Sequence, residues 1–464
     1  MGLTFSSIFI IPFALFCFIR NTDLLIKAVI FSIPFSATSI LNLGSGVPIT
    51  AFQFLSLIFI FKQSLNIVYR GHFFWPSNNN QSTLLLLCFL FLGICSFSLI
   101  MPALIDGAYY VHSIDIANGY PLIELTFTLS TFKKLFPLFI GILLIFFLLQ
   151  EKISLTTLRI YLKTYVISIC FISSWGLFQY ITWISGVDYP GFIFNTMNSD
   201  LMVVDSELSV ESGVIKRIYS VTQEPSHFVC FLLSGLPLLY VNNFFGQPLI
   251  SRNLGLFFII IIVFSLLISF STTGAGGLAI LVFITYLTLY SKNPLSLILR
   301  FIFLSIIFTL GIIVLSQFEF FENFLNIVFI EKLISGSMLE RLFFIEKAWN
   351  HFLDFPILGL GLGNVTSSDL FIFLLSNIGI IGTLSFVFLI VFLLRYAKKS
   401  ANIVKESNDK LLLTNNLSII NSVLISFYVQ LFVYFFMGFV WYLPIFYIMV
   451  FFMISLNSIT KREN

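Results

Sequence analysis

The chain has 464 residues, of which 58% are hydrophobic and only 10% charged, with 60 Phe and a mean hydropathy of +1.03. Soluble domains carry roughly 25% charged residues, so this chain lacks the charge to cover a water-facing surface. That excludes a soluble enzyme, a nucleic-acid binder and a disordered chain. The formal net charge of +3 says less than where the charges sit.

A membrane span takes about 20 apolar residues, which leaves room for roughly 12 to 14 spans and two long loops. The expected fold class is all-α: a polytopic integral membrane protein, with residues 1–464 as a single membrane domain. No polar stretch is long enough for a separate soluble domain. The first apolar run, Ile8 to Ile19, has no basic residue before it, and Arg20 follows it. A cleavable signal wants its positive charge first, so a retained first span with its N-terminus outside is expected. Thirteen spans are read, at about 5–19, 28–43, 49–66, 83–105, 132–149, 158–186, 226–245, 254–271, 275–291, 297–317, 370–394, 413–434 and 438–457. Cys17, Cys88, Cys95, Cys170 and Cys230 lie in or at the edge of these runs and read as packing residues. They form neither a disulfide framework nor a metal cluster.

The first long loop, 187–225, opens with Asp188, Asp200, Asp205, Glu207 and Glu211. It closes on Lys216-Arg217-Ile218-Tyr219-Ser220-Val221-Thr222-Gln223-Glu224-Pro225-Ser226-His227, which leads into the seventh span. Pro225 suits the first turn of a helix, where its missing N–H costs nothing. A carboxylate beside a guanidinium can act as a base while the cation holds an anion. A solvated loop end with an ordinary ion pair is the plainer alternative. Spans eight and nine are joined by a tight turn, Ser271 to Gly277.

The second long loop, 318–369, holds two amphipathic stretches. Phe318 to Ile330 is suited to lying flat in the interface. In Leu339 to Asp354, Leu342, Ile345, Trp349 and Phe352 recur at helical spacing, with Glu340, Lys347, His351 and Asp354 on the opposite face. A histidine on such a face is most simply solvated. Phe355 to Asn364 then carries Gly359, Gly361 and Gly363. Alternating glycines allow positive φ or close approach, and their N–H groups can meet a phosphate oxygen. No strand–helix unit surrounds them, so this is not a dinucleotide fingerprint.

The positive-inside rule tests the map. With the N-terminus outside, only Lys133, Lys134, Lys216, Arg217, Lys332, Arg341 and Lys347 of the 24 Lys and Arg fall outside, against 16 of the 21 acids. No phosphate-binding loop occurs in the short basic inner loops, so any chemistry is expected on the outer face.

Three patterns together resemble one family. Arg217 through His227 looks like the segment before a central span in bacterial O-antigen and exopolysaccharide polymerases. Phe270-Ser-Thr-Thr-Gly274 looks like their turn between two later spans. Arg341, Trp349, Pro356 and Gly359 to Gly363 resemble the large periplasmic loop of the O-antigen ligase/polymerase superfamily, and Asn377-Ile-Gly379-Ile-Ile-Gly382 resembles the start of the next span. The likeness covers about residues 130 to 395. Ligases of the superfamily carry a His-Asn pair where this chain has Ser368 and Asp369, which favours a polymerase.

The resemblance implies a glycosyltransferase of the bacterial inner membrane with a periplasmic catalytic face. Such an enzyme joins undecaprenyl-diphosphate-linked repeat units into polysaccharide and uses no cofactor and no metal. It implies Arg217 and Arg341 as holders of the diphosphate, with Lys216, Gly361 and Gly363 assisting. Glu224 or Asp369 would be the base, and His227 would orient a partner. A chain-length regulator and a flippase are the implied pathway partners, beside membrane lipids. The alternatives are an O-antigen ligase that transfers polymer to lipid A-core, a capsule or exopolysaccharide polymerase, and a flippase or transporter. The last needs charged residues along a path within the spans, and few are found there.

Overall fold

The computed structural model describes residues 2–42, 48–71, 75, 79–105, 107–113, 120–127, 129–151, 153–197, 207–210, 213–290, 336–405, 410–437 and 443–459. The expected tenth span and the Phe318 to Ile330 stretch lie outside them. The described chain is mainly helical, with three small antiparallel sheets. Among the described residues, seven helices are long and apolar enough to cross a membrane, and Ser7–Arg20, Arg252–Ile268 and Ile445–Ser455 are shorter apolar helices.

Helix α1 (Ser7–Arg20) is followed by α2 (Thr22–Phe31) after a single residue, Asn21, whose side chain accepts the Asp23 N–H at 2.9 Å. The second expected span is only partly helical. After α2 the backbone turns and enters strand β2 (Ser39–Asn42), which pairs with β1 (Gly2–Leu3) and β3 (Pro48–Thr50). Non-helical backbone in an apolar bundle needs partners other than lipid. It finds them in a later loop. The Ala37 carbonyl accepts from the N–H groups of Thr196 and Met197 at 3.1 Å, and the Ala37 N–H donates to the Val221 carbonyl at 3.2 Å. Thr38 Oγ1 donates to the Phe194 carbonyl at 2.7 Å.

The next helices are α3 (Ala51–Arg70), α4 (Asn79–Ser98), α5 (Met101–Ile105), α6 (Leu129–Leu148) and α7 (Leu155–Ile184). Strands β4 (Tyr110–His112) and β5 (Leu122–Glu124) form a hairpin between α5 and α6. A second hairpin, β6 (Glu207–Val210) and β7 (Gly213–Lys216), precedes α8 (Pro225–Phe245). Then come α9 (Arg252–Ile268), α10 (Thr272–Tyr290), α11 (Gly336–Asp354), α12 (Leu370–Lys405), α13 (Lys410–Met437) and α14 (Ile445–Ser455).

Helix α8 is the centre of the bundle. Buried residues make up 83% of its most apolar stretch, against 22% for α10. Its most extensive contact is with α13, where Asn242 Nδ2 donates to Ser422 Oγ at 3.0 Å and Ser418 Oγ donates to Asn242 Oδ1 at 3.1 Å. Such interhelical hydrogen bonds register apolar helices that have no hydrophobic drive to pair inside lipid. The run Thr272 to Gly277, expected as a turn, is instead the start of α10, and a Cβ on Gly277 would come within 2.2 Å of Leu233 in α8. Small residues there serve close helix approach. The polar joints at the end opposite the hairpins include Lys62 Nζ donating to the Phe18 carbonyl and Arg159 donating to the Gln247 carbonyl at 3.0 Å.

Candidate functional site

The segment from Arg217 to Glu224 does not lie on the surface. Ile218, Ser220, Val221 and Thr222 are fully buried. Ser220 has φ +55°, a left-handed conformation that non-glycine residues keep only when their surroundings impose it. Here Gln179 of α7 accepts the N–H groups of Tyr219 and Ser220 at 3.1 and 2.8 Å. Tyr189 Oη and Asn195 Nδ2 donate to the Ser220 carbonyl at 3.0 and 3.1 Å, and Ser220 Oγ donates to the Ile172 carbonyl at 2.7 Å. The tyrosine is held in turn by Trp175 Nε1 at 2.6 Å. Burial pushes the Tyr189 hydroxyl well above its usual pKa, so it stays a donor.

This clamp delivers Glu224 to the N-cap of α8, with Pro225 at the first helical position as expected. The Ser226 hydroxyl donates to Glu224 Oε1, and His227 Nε2 lies 3.3 Å from the same oxygen. His227 Nδ1 is buried without a hydrogen-bond partner among the described residues. Burial pushes the Glu224 carboxyl up. The His227 ring, the Ser226 hydroxyl and the Arg341 and Arg217 guanidiniums together outweigh it and hold the group below its ordinary pKa. The positive end of the α8 dipole acts in the same direction. Four residues expected at the site, Arg217, Glu224, His227 and Arg341, are therefore brought together.

Arg341 arrives on α11, which is oriented by the β4–β5 hairpin. Phe344, Ala348, His351 and Phe352 form its buried side, whereas Leu342 and Trp349 of the expected apolar face are exposed, together with Leu339 and Leu353. His351, expected to be solvated, packs edge-on against the Tyr109 ring. Tyr109 Oη donates to Asp354 Oδ2 at 2.5 Å and lies 2.8 Å from His351 Nδ1. With the single hydroxyl proton given to Asp354, His351 Nδ1–H is the donor to Tyr109. Burial and the charges of His112 and Lys347 hold the His351 pKa down against the pull of Asp354. At the other end of the helix, Tyr120 stacks on Phe343 at 5.5 Å and meets Phe344 edge-on at 5.2 Å, and Glu340 acts on its hydroxyl. Burial raises the Glu340 carboxyl above its ordinary pKa. Arg341 and Tyr120 oppose this and Glu224 adds to it.

The remaining expected residues take structural positions. Helix α12 is broken at Gly379, with φ +65° and ψ −170°. The carbonyls of Ser376 and Asn377 accept from the N–H groups of Leu360 and Gly361 at 2.9 Å, and Ile380 N–H donates to the Pro356 carbonyl at 2.8 Å. A Cβ on Gly379 would lie 2.1 Å from the Ile357 carbonyl oxygen. The glycine segment thus completes a broken helix. The Gly361 N–H, expected to meet phosphate, is occupied by Asn377. Gly363 packs on the Lys134 stem, and Lys134 Nζ donates to Asn364 Oδ1 at 2.8 Å. Asp369 Oδ1 accepts the Ile372 N–H at 2.8 Å, which makes it the N-cap of α12. Lys216 is exposed at the end of β7.

An apolar groove of about 500 Å³ lies between α1, α2, α3 and α7, lined by Phe13, Phe31, Phe35, Phe171 and Phe194 among others. The neighbours of Phe35 and Phe194 hold the buried segment that leads to Glu224. Among the described residues no group of His, Cys, Asp and Glu is arranged to hold a metal. Sequence reading missed Gln179, Tyr189 and Tyr109, and it placed Glu340 only on a polar helix face. The single signal was an amide in an otherwise apolar span, since buried polar groups in lipid are costly. No known protein family matches the chain, and a comparison with curated proteins gives no match either.

Proposed function

We propose that this chain is a polysaccharide polymerase, a glycosyltransferase that extends a lipid-diphosphate-linked polymer by one repeat unit. The reading carries over the sequence resemblance to O-antigen polymerases. The feature that supports it most is that Arg217 and Arg341, which come from two different long loops, both act electrostatically on the Glu224 carboxylate at the N-terminus of the central helix. A departing diphosphate develops negative charge that two guanidiniums meet with planar, bidentate donors. The diphosphate ester already holds the free energy of transfer, so no nucleotide is required. The apolar groove suits the isoprenoid tail of such a substrate. The described bundle also disfavours a transporter, because among the described residues no Asp, Glu, Lys or Arg is fully buried.

In this reading the chain is a protein of the bacterial inner membrane, and the end that carries Glu224 faces the periplasm. Purified protein should lengthen an undecaprenyl-diphosphate-linked repeat unit in vitro. Arg217→Ala and Arg341→Ala should each reduce the product to single-repeat material, a loss of roughly 10²-fold or more if each removes a donor to the developing charge. Wild-type chain-length ladders from both variants would reject the assignment. Gene deletion separates polymerase from ligase: loss of a polymerase leaves one repeat attached to lipid A-core, and loss of a ligase leaves none.

A further inference from the structure

We propose that the centre of the bundle, between α7, α8 and α13, is an internal water site, closed toward the end of α8 that lies far from Glu224. The proposal stands apart from the polymerase reading and concerns the helix that carries Glu224.

On α13 every fourth residue from Ser418 to Tyr434 is polar: Ser418, Ser422, Ser426, Gln430 and Tyr434. All five are buried. Residues four apart share one helix face. At 1.5 Å of rise per residue the stripe runs roughly 24 Å, most of the hydrocarbon thickness of a bilayer. Helix α8 presents Cys230, Ser234 and Asn242 at multiples of the same spacing, and these are buried too. Two contacts fix the pairing as antiparallel. Asn242 meets Ser418 and Ser422, and Gln430 Nε2 donates to Cys230 Sγ at 2.7 Å. In that register Ser426 stands level with Ser234. Helix α7 adds Tyr165, whose hydroxyl lies 2.7 Å from Ser234 Oγ. Ser234 gives its own proton to the Phe231 carbonyl at 2.7 Å, so Tyr165 is the donor of that pair.

The two halves of the stripe differ. At the far end Asn242 Nδ2 donates to the Leu238 carbonyl at 2.8 Å and to Ser422, while its Oδ1 accepts from Ser418. A Cβ on Gly246 would come within 1.9 Å of Ser418 Oγ. That half is satisfied by its own side chains and closely packed. In the half nearer Glu224, Ser426 Oγ, Gln430 Oε1 and Tyr434 Oη are buried without a hydrogen-bond partner among the described residues. They fall within about two helical turns of one another. A polar atom left unmet in an apolar interior is costly, and native proteins seldom leave several together without a ligand. Water fits these three. It can donate to the Gln430 carbonyl, accept from the Tyr434 hydroxyl and do either at Ser426, and buried waters make two to four such bonds. A cation fits poorly, because every side chain around the three oxygens is neutral and none of the described acids is fully buried to balance its charge. The closed half at Asn242 makes the site a pocket rather than a conduit.

Hydroxyl-radical footprinting of the purified protein tests this, because radiolysis turns a resident water into a radical beside the side chain it touches, however deeply buried. Tyr434 should be modified several-fold faster than Tyr447, which is equally buried on α14. The Ser426→Ala, Gln430→Leu double variant should bring Tyr434 down to the Tyr447 level while its thermal melt stays cooperative. Equal labelling of Tyr434 and Tyr447 in the wild type would show a dry core and overturn the proposal. Melting temperatures in sodium, potassium and choline chloride at one ionic strength should agree. A rise confined to sodium or potassium would put a cation in place of water. Proteoliposomes should hold a pH gradient as long as protein-free vesicles. A gradient that collapses with the wild type and holds with Tyr434→Phe would make the seam a conduit and overturn the closed end.

Discussion

Ser220 shows how the site is held at the scale of single residues. Non-glycine residues with positive φ cost on the order of 1–3 kcal/mol each. Among the described residues there are three, Tyr120, Ser220 and Phe270, and Ser220 lies in the buried segment that leads to Glu224. At Ser220 the offset comes from Gln179, which is fully buried and accepts two N–H groups at once. Gln179→Leu would leave both donors buried without their acceptor. A lost partner of this kind costs roughly 1–3 kcal/mol per group, so we expect a clear drop in thermal stability in detergent and shortened polymer ladders in cells. An unchanged melting temperature with normal ladders would show that the clamp does not matter. The Arg217 to His227 run was legible because its chemistry is contiguous in the chain. Gln179 was not, since one amide in an apolar helix does not reveal which backbone it serves.

Elements explain why the second half of the site was harder to read. Helix α11 has apolar residues on both sides, Leu339, Leu342, Trp349 and Leu353 on one and Phe344, Ala348 and Phe352 on the other. Periodicity alone cannot choose between them. The β4–β5 hairpin chooses, through a contact 242 residues apart in sequence between Tyr109 and His351. The same reasoning explains the glycines. Their alternation was visible, but the broken α12 that uses their backbone was not. The depressed His351 pKa predicts a pH dependence of stability with a definite sign. His351 binds its proton less readily folded than unfolded, so the unfolded chain gains more protons as pH falls. Stability from this latch is therefore complete above about pH 6.5, the ordinary histidine value, and is lost as pH falls through the depressed folded value. Protease cutting within 336–354 should increase on acidification of the wild type. Tyr109→Phe removes the hydroxyl that joins Asp354 to His351 and should be cut readily at neutral pH already. Equal protection of both proteins at pH 5 and pH 7.5 would rule out the latch.

At the scale of the whole molecule, the helical class and the apolar bundle were legible from composition, because 10% charge leaves few other ways to bury the chain. The second span was misread as one helix. Hydropathy reports burial and is silent on whether backbone partners come from the same segment or from a loop far along the chain. The sorting of charge carries a further consequence that links fold to function. Among the described residues, Asp188 and Glu340 lie with Glu224 at one end of the bundle, while Arg395, Lys398 and Lys399 stand exposed on the C-terminal part of α12. The polymerase reading requires the first end to face the periplasm, where the lipid-linked repeats are joined. All five native cysteines are buried and unpaired, so introduced thiols can be read with little background. Asn350 is exposed on α11 and Lys398 on α12. A membrane-impermeant maleimide given to intact spheroplasts should label Asn350→Cys at once and Lys398→Cys only after the membrane is opened. The reverse pattern would place both guanidiniums on the cytoplasmic side, and a site there could not serve a polymer built outside the membrane.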